Sequence, residues 1–139
     1  MHSTAHIMIL GSGFGALTAV REIRKARMDV RITVVSPNTH LTYLPSLIWM
    51  PSGLRRAADI DVDLTRFFAR EEVDWHQGRV TSVKDGGRTV ETDTGTLSND
   101  VLIIATGGRY LKQLPGLAEH AIIPCEGAAK GQMIHDRIR

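Results

Sequence analysis

Ile7-Met8-Ile9-Leu10 runs directly into Gly11-Ser12-Gly13-Phe14-Gly15-Ala16, and this junction restricts the fold more than any other stretch of the chain. A continuous apolar run that ends at glycine reads as a strand buried on both faces of a parallel sheet. The spacing after it predicts a helix over 14–27. Ala16, Val20 and Ile23 recur at helical spacing, Leu17 and Ala19 widen the stripe, and Arg21, Arg24 and Lys25 make a solvated opposite face. Val30 to Val35 is then rich in β-branched residues and is closed by Ser36-Pro37-Asn38, which predicts a second strand and a turn. Strand, helix and strand within about 30 residues make a βαβ unit.

Set in that unit, Gly11 to Ala16 fits the pattern G-x-G-x-x-G/A, with Ala16 in the third position. Gly11 permits a tight turn out of the strand, Gly13 lets a pyrophosphate approach the backbone at the helix N-terminus, and Ala16 lets helix pack on strand. The string is weak alone, and the strand before it and helix after it are the context that gives it meaning. An acidic residue to grip an adenosine ribose is expected at the end of the second strand, and Ser36 stands there instead. Ser36 or Asn38 offers one weaker hydrogen bond, which counts against a simple NAD-binding dehydrogenase.

The middle of the chain is less regular. Residues 41–49 read as an extended piece and a short helix limited by Pro45 and Pro51, and 63–70 as a helix with Asp63 as N-cap. Val73 to His76 alternates like a short strand. From 79 to 98 the period becomes two, with turns at Asp85-Gly86-Gly87 and Asp93-Thr94-Gly95, which predicts a three-stranded antiparallel meander. Val101-Leu102-Ile103-Ile104 returns as a buried strand ending at Ala105-Thr106-Gly107-Gly108, and a helix is expected from Glu126 onward. The fold class is therefore α/β: a Rossmann-like parallel sheet with an inserted three-stranded antiparallel meander.

Several function classes lose support on simple grounds. Lys plus Arg number 17 and Asp plus Glu 15, too small and too scattered an excess to predict a nucleic-acid partner. One cysteine, Cys125, excludes an internal disulfide framework. No apolar stretch is long enough for a signal or a span, so a cytoplasmic location is expected. The six histidines have no metal-ligand spacing, and no G-x-S-x-G occurs.

The motifs together resemble the N-terminal, FAD-binding part of the pyridine nucleotide–disulfide oxidoreductase superfamily. The likeness is strongest to sulfide:quinone oxidoreductase and its relatives, the flavocytochrome c sulfide dehydrogenases and type II NADH dehydrogenases. It rests on residues 10–19, Val35-Ser36-Pro37-Asn38, Tyr43-Leu44-Pro45-Ser46-Leu47, the Ala105-Thr106-Gly107 strand end and Leu114-Pro115-Gly116-Leu117. The resemblance implies FAD as cofactor. Gly11, Gly13 and Ala16, with Phe14 and Gly15 of the same loop, would border its pyrophosphate. Ser36 and Asn38 would lie by the adenosine and the Val80 backbone by the adenine. Ala105, Thr106 and Gly107 would close over the cofactor, with Tyr43 and Pro45 near the flavin; core or interface packing is the competing reading of 41–50.

On this likeness residues 1–139 are a single FAD-binding domain, the N-terminal part of a longer flavoprotein with two dinucleotide-binding domains. The intact enzyme would oxidise sulfide and pass electrons through FAD to a quinone. It would meet the inner face of the membrane peripherally, through sequence beyond residue 139. The 139-residue piece alone is expected to be inactive, and its uncovered apolar flank to self-associate. A type II NADH dehydrogenase or other NAD(P)H-linked flavoprotein is the alternative enzyme. A non-catalytic nucleotide-binding or interaction module is the alternative outside enzymes.

Cys125 separates these branches. A lone cysteine is ordinarily a small buried hydrophobe. It stands 19 residues beyond Thr106, where the sulfide-oxidising relatives similarly place a cysteine, and a helix start behind it would favour thiolate. Glu126 beside it would act against that. The resemblance makes Cys125 a catalytic, sulfur-handling candidate that assists.

Overall fold

A computed structural model describes residues 4–138, which fall into two compact units. The first contains 1–39 and 63–107, the second 40–62 and 108–139.

The first unit is built on a four-stranded parallel sheet. β1 (Ala5–Leu10) leads through α1 (Phe14–Lys25) to β2 (Val30–Ser36). These pair in parallel along their length, from Ala5 opposite Val30 to Leu10 opposite Val35. His6 to Leu10 and Ile32 to Ser36 are all buried, as the apolar runs require. α1 stops at Lys25, two residues before its expected end, because Arg27 turns to a positive φ of 52°. Arg24 leaves the solvated face assigned to it. Its guanidinium donates to the carbonyls of Val30, Glu71 and Glu72 at 2.8–3.0 Å and so caps the end of the helix at Thr65–Arg70.

In chain order, β3 (His40–Thr42), α2 (Ala57–Ile60) and β4 (Asp61–Asp63) precede α3 (Thr65–Arg70). The start of α3 is two residues later than expected. Leu64 occupies the N-cap position, while the Asp63 carboxylate accepts from the Thr65 amide and hydroxyl at 2.8 and 2.7 Å. β5 (Val73–Gln77) then joins the parallel sheet beside β2, with Trp75 opposite Val34. The expected meander follows as β6 (Val80–Lys84), β7 (Thr89–Thr92) and β8 (Gly95–Ser98), antiparallel throughout. β9 (Val101–Ile104) returns to the parallel sheet against β1, giving the order β5-β2-β1-β9.

The meander covers one face of that sheet. Met8 and Leu10 of β1 and Val35 of β2 pack with Val90 of β7, flanked by Val80, Leu97 and Leu102. Ile7 and Ile9 point the other way by the alternation of a strand and are buried too. β9 is the exception to the buried-strand reading: Val101 and Ile104 are 48% and 65% exposed, since β9 lies at an edge of the sheet.

The second unit holds β3, α2 and most of β4, with a 3-10 helix at Leu44–Trp49. Its later half has α4 (Leu117–His120), a 3-10 turn at Pro124–Glu126 and α5 (Ala128–Ile138). Leu47, Met50 and Ile60 form its core, with Ala128 of α5 against them. Gly131 of α5 is buried here because Met50 lies where any side chain would go, 3.0 Å from an added Cβ.

Candidate functional site

The motif glycines sit where β1 gives way to α1, and the two central ones meet different surroundings. Gly11 has φ +100° and donates its amide to the Val35 carbonyl at 2.8 Å. A Cβ on it would overlap the Ala105 carbonyl oxygen and lie 2.9 Å from that carbonyl carbon. Gly11 is thus demanded by the fold, where the strand end at Ala105 closes on the loop. Ala105 itself donates to the Leu10 carbonyl at 2.9 Å.

Gly13 is the N-cap of α1, with extended backbone at φ −80° and ψ −175°. Nothing lies within 4 Å of an added Cβ, so internal packing gives no reason for a glycine here. α1 has no side-chain cap and no acidic residue in its first turn. Its leading N–H groups and the positive end of its dipole therefore have no internal acceptor of that kind. Ala16 is fully buried, and an added Cβ on Gly15 would sit 3.8 Å from the Ala105 side chain. The small residues so bring helix, strand and the 105–107 segment together. Phe14 is 44% exposed beside them. Thr106 is exposed, and Gly107 has φ +75° with open space around it.

Ser36, at the end of β2, is only 2% exposed. Its hydroxyl donates to the Asn38 carbonyl at 2.6 Å and accepts from the Trp75 indole N–H at 3.0 Å. The Ser36 carbonyl accepts from the Gly78 amide at 3.1 Å, and the Pro37 carbonyl from the Gln77 side chain at 3.2 Å. The turn is held closed from behind, and Pro37 and Asn38 are its exposed members. Val80 opens β6 at an irregularity in its register with β7 and packs on the Met8–Leu10 cluster.

The remaining predicted site residues belong to the second unit. Tyr43 is 44% exposed and precedes the 3-10 helix that contains Pro45. Cys125 is free and exposed, contrary to the ordinary expectation of a buried thiol. It lies in the 3-10 turn, and α5 begins only at Ala128, beyond Gly127 with φ 120°. The expected helix start at Glu126 is therefore displaced from the cysteine. Glu126 does not act on it freely either, because Lys112 holds that carboxylate at 2.9 Å. The Tyr110 hydroxyl is hydrogen-bonded to Cys125, and this bond together with the nearby sulfur charge raises the phenol above its usual pKa.

Sequence reasoning reads Trp75 as a packing residue, without its bond to Ser36, and does not single out Tyr110. Trp75 carried one usable signal, an indole N–H that needs a partner wherever its ring is covered. Tyr110 carried none, being 15 residues from Cys125 with no periodic link. Among the described residues no cluster of three or more His, Cys, Asp or Glu side chains could hold a metal, and no helix is long and apolar enough to cross a membrane.

Comparison with known proteins agrees with this geometry. The family model described as pyridine nucleotide-disulphide oxidoreductase matches residues 5–135. The sulfide-quinone reductase of Aquifex aeolicus is 25% identical over 121 residues, 86% of this chain and 28% of that protein. A type II NADH:quinone oxidoreductase of Staphylococcus aureus is 23% identical over 120 residues, 83% of this chain and 29% of that protein. The solved sulfide:quinone oxidoreductase of Aquifex aeolicus superposes with a TM-score of 0.88 at 23% identity, over 97% of this chain and 32% of that one. The chain spans less than a third of the length of these relatives. With a parallel sheet, an antiparallel meander and a family match over nearly all its residues, the chain belongs to the pyridine nucleotide-disulphide oxidoreductase family.

Proposed function

We propose that residues 1–139 act as the FAD-binding domain of a longer flavin-dependent oxidoreductase of the sulfide:quinone type. The observation that carries the reading is Gly13, a glycine that the fold itself does not need, at an uncapped helix start. A group that must come closer than a side chain allows explains it, and a pyrophosphate is such a group.

Bound FAD would supply a two-electron acceptor and donor. The chain's own part is to bind and orient it. Gly11, Gly13, Phe14, Gly15 and Ala16 would hold the pyrophosphate against the N–H groups of α1. Asn38 would meet the adenosine on a turn fixed by Ser36, the Val80 backbone the adenine, and Ala105, Thr106 and Gly107 the opposite side. Tyr43 and Pro45 are assigned to the flavin on family resemblance. Sulfide and a quinone would be the partners of the intact enzyme.

What favours this branch over a type II NADH dehydrogenase is Cys125, exposed and free beside the Tyr110 hydroxyl. A thiol in that condition is available to sulfur chemistry as a buried one is not.

The test is an absorption spectrum of the purified chain, then calorimetric titration with FAD and NADH separately. A flavin band, or binding of FAD with NADH ignored, is expected. Binding of NADH alone would move the chain to the NADH-linked reading, and binding of neither would leave a nucleotide fold used as an interaction module.

A further inference from the structure

The parallel sheet carries a second set of polar groups, at the end away from the glycine motif. Thr4 and His6 flank the start of β1, Arg31 lies at the start of β2, and Ser98, Asn99 and Asp100 lead into β9. Together they line a hollow of about 480 Å³, within the roughly 300–1,000 Å³ of small-molecule sites. All six side chains are polar, so the hollow suits a polar ligand.

His6 braces both charged groups. It takes an Arg31 Nη2 donor at Nδ1 and faces the Thr33 hydroxyl with Nε2, both at 2.8 Å. The imidazole is thereby filled, and the other guanidinium N–H groups have no partner among the described residues. Asp100 is tied to the His6 backbone. Its Oδ2 accepts from the His6 amide at 2.7 Å, and its own amide donates to the His6 carbonyl at 2.9 Å. Asn99 is 8% exposed and donates from Nδ2 to the Gly87 and Arg88 carbonyls at 2.9 and 3.3 Å. Its Oδ1 is buried and has no partner among the described residues.

An arginine and an aspartate lining one hollow would ordinarily pair with each other. Here neither belongs to an ion pair among the described residues. A cationic fork and a carboxylate kept apart in a polar cavity match a ligand that carries both signs close together. The fork takes a carboxylate through two N–H groups. The aspartate takes an ammonium, in a wall where Asn99 holds an acceptor that is costly to leave unmade. A simple anion would meet the Asp100 charge instead, and a simple amine the Arg31 charge.

We propose that this hollow is a second ligand site of the first unit and binds a small polar α-amino acid, with its carboxylate on Arg31 and its ammonium on Asp100. None of these residues belongs to the proposed nucleotide site, so the proposal stands or falls apart from FAD.

The test is nuclear magnetic resonance of the 139-residue chain without flavin, following the His6 imidazole as L-serine is added. The signal is assigned with His6→Gln. L-serine should shift it, because His6 touches both charged residues. Glycerate lacks the ammonium and ethanolamine lacks the carboxylate. Each should bind about tenfold more weakly, the loss of one charge-assisted hydrogen bond. Arg31→Gln and Asp100→Asn should weaken L-serine binding by about the same factor. Asparagine at 100 keeps an oxygen for the His6 amide, and thermal melting checks that both variants fold. No shift at millimolar L-serine overturns the proposal. So does a shift that the variants leave unchanged, or glycerate or inorganic phosphate binding as tightly as L-serine, which would make the hollow a plain anion site.

Discussion

Replacing Gly11 and Gly13 separately by alanine should divide the glycine motif into a part that folds and a part that binds. At Gly11 the φ of +100° and the overlap with the Ala105 carbonyl act together. Backbone strain of this kind costs about 1–3 kcal/mol, and forcing atoms into a packed site adds about 1–3 kcal/mol. The sum is a large fraction of the roughly 5–15 kcal/mol that holds a domain together. Gly11→Ala should therefore melt early or fail to fold.

Gly13→Ala meets neither penalty, since its backbone is extended and the space around it is open. Alanine is a poorer N-cap than glycine, so a loss below about 1 kcal/mol is expected. The new methyl would stand where the pyrophosphate must approach. At about 1–3 kcal/mol of crowding, FAD affinity should fall about 5- to 150-fold. Urea denaturation gives the first quantity for both variants, and quenching of flavin fluorescence on titration gives the second. Unchanged FAD binding by Gly13→Ala would refute the reasoning, because then nothing requires that glycine. A stable, normally folded Gly11→Ala would refute the other half.

Two further outcomes follow from the first unit. His6 is 7% exposed, accepts from Arg31 at Nδ1 and faces the Thr33 hydroxyl with Nε2, both at 2.8 Å. Burial first, and then the Arg31 charge, lower its pKa. The unfolded chain therefore takes up the proton more readily. The stability His6 contributes should be complete above the unfolded imidazole value, about 6.5, and be lost as pH falls through the lower folded value. Urea midpoints measured from pH 8 to pH 5 should drop, and His6→Gln should flatten that part of the curve; an equal slope in the variant would discharge His6 from the effect. Separately, the outer edge of β9 has no strand paired to it among the described residues, and Ile104 is 65% exposed there. Ile104→Lys should reduce self-association at high concentration, read by sedimentation velocity, because charge blunts an open edge; a concentration dependence unchanged from the parent would place the contact elsewhere.

What was legible in the sequence was what a local backbone demands. The apolar run into Gly11 announced β1, the Gly-rich turns announced the meander, and Ala105-Thr106-Gly107 announced the return to the sheet, since each is set by residues within one turn of one another. Pairings across distance were not legible. Nothing near Val73 says that its strand joins β2, and nothing near Arg24 says that its guanidinium caps a helix 47 residues away. The division into two compact units is of the same kind, because the second is assembled from 40–62 and 108–139, two stretches far apart in the sequence.

The end of β2 shows how a correct local observation can need a distant fact to be understood. That Ser36 replaces the expected acid was visible at once, and it looked like a weakened ribose contact. In the fold, Ser36 must donate to the Asn38 carbonyl while accepting from Trp75, 39 residues later, in a site that is 98% closed to solvent. A carboxylate there could accept from the indole but would face the carbonyl with no proton to give, and would bury a charge whose neighbours offer one donor. The position is thus shaped for a hydroxyl. On the proposed reading, recognition of an adenosine at this turn would fall to Asn38 and the backbone rather than to Ser36, and a ligand held that way would depend more heavily on a pyrophosphate grip at Gly13.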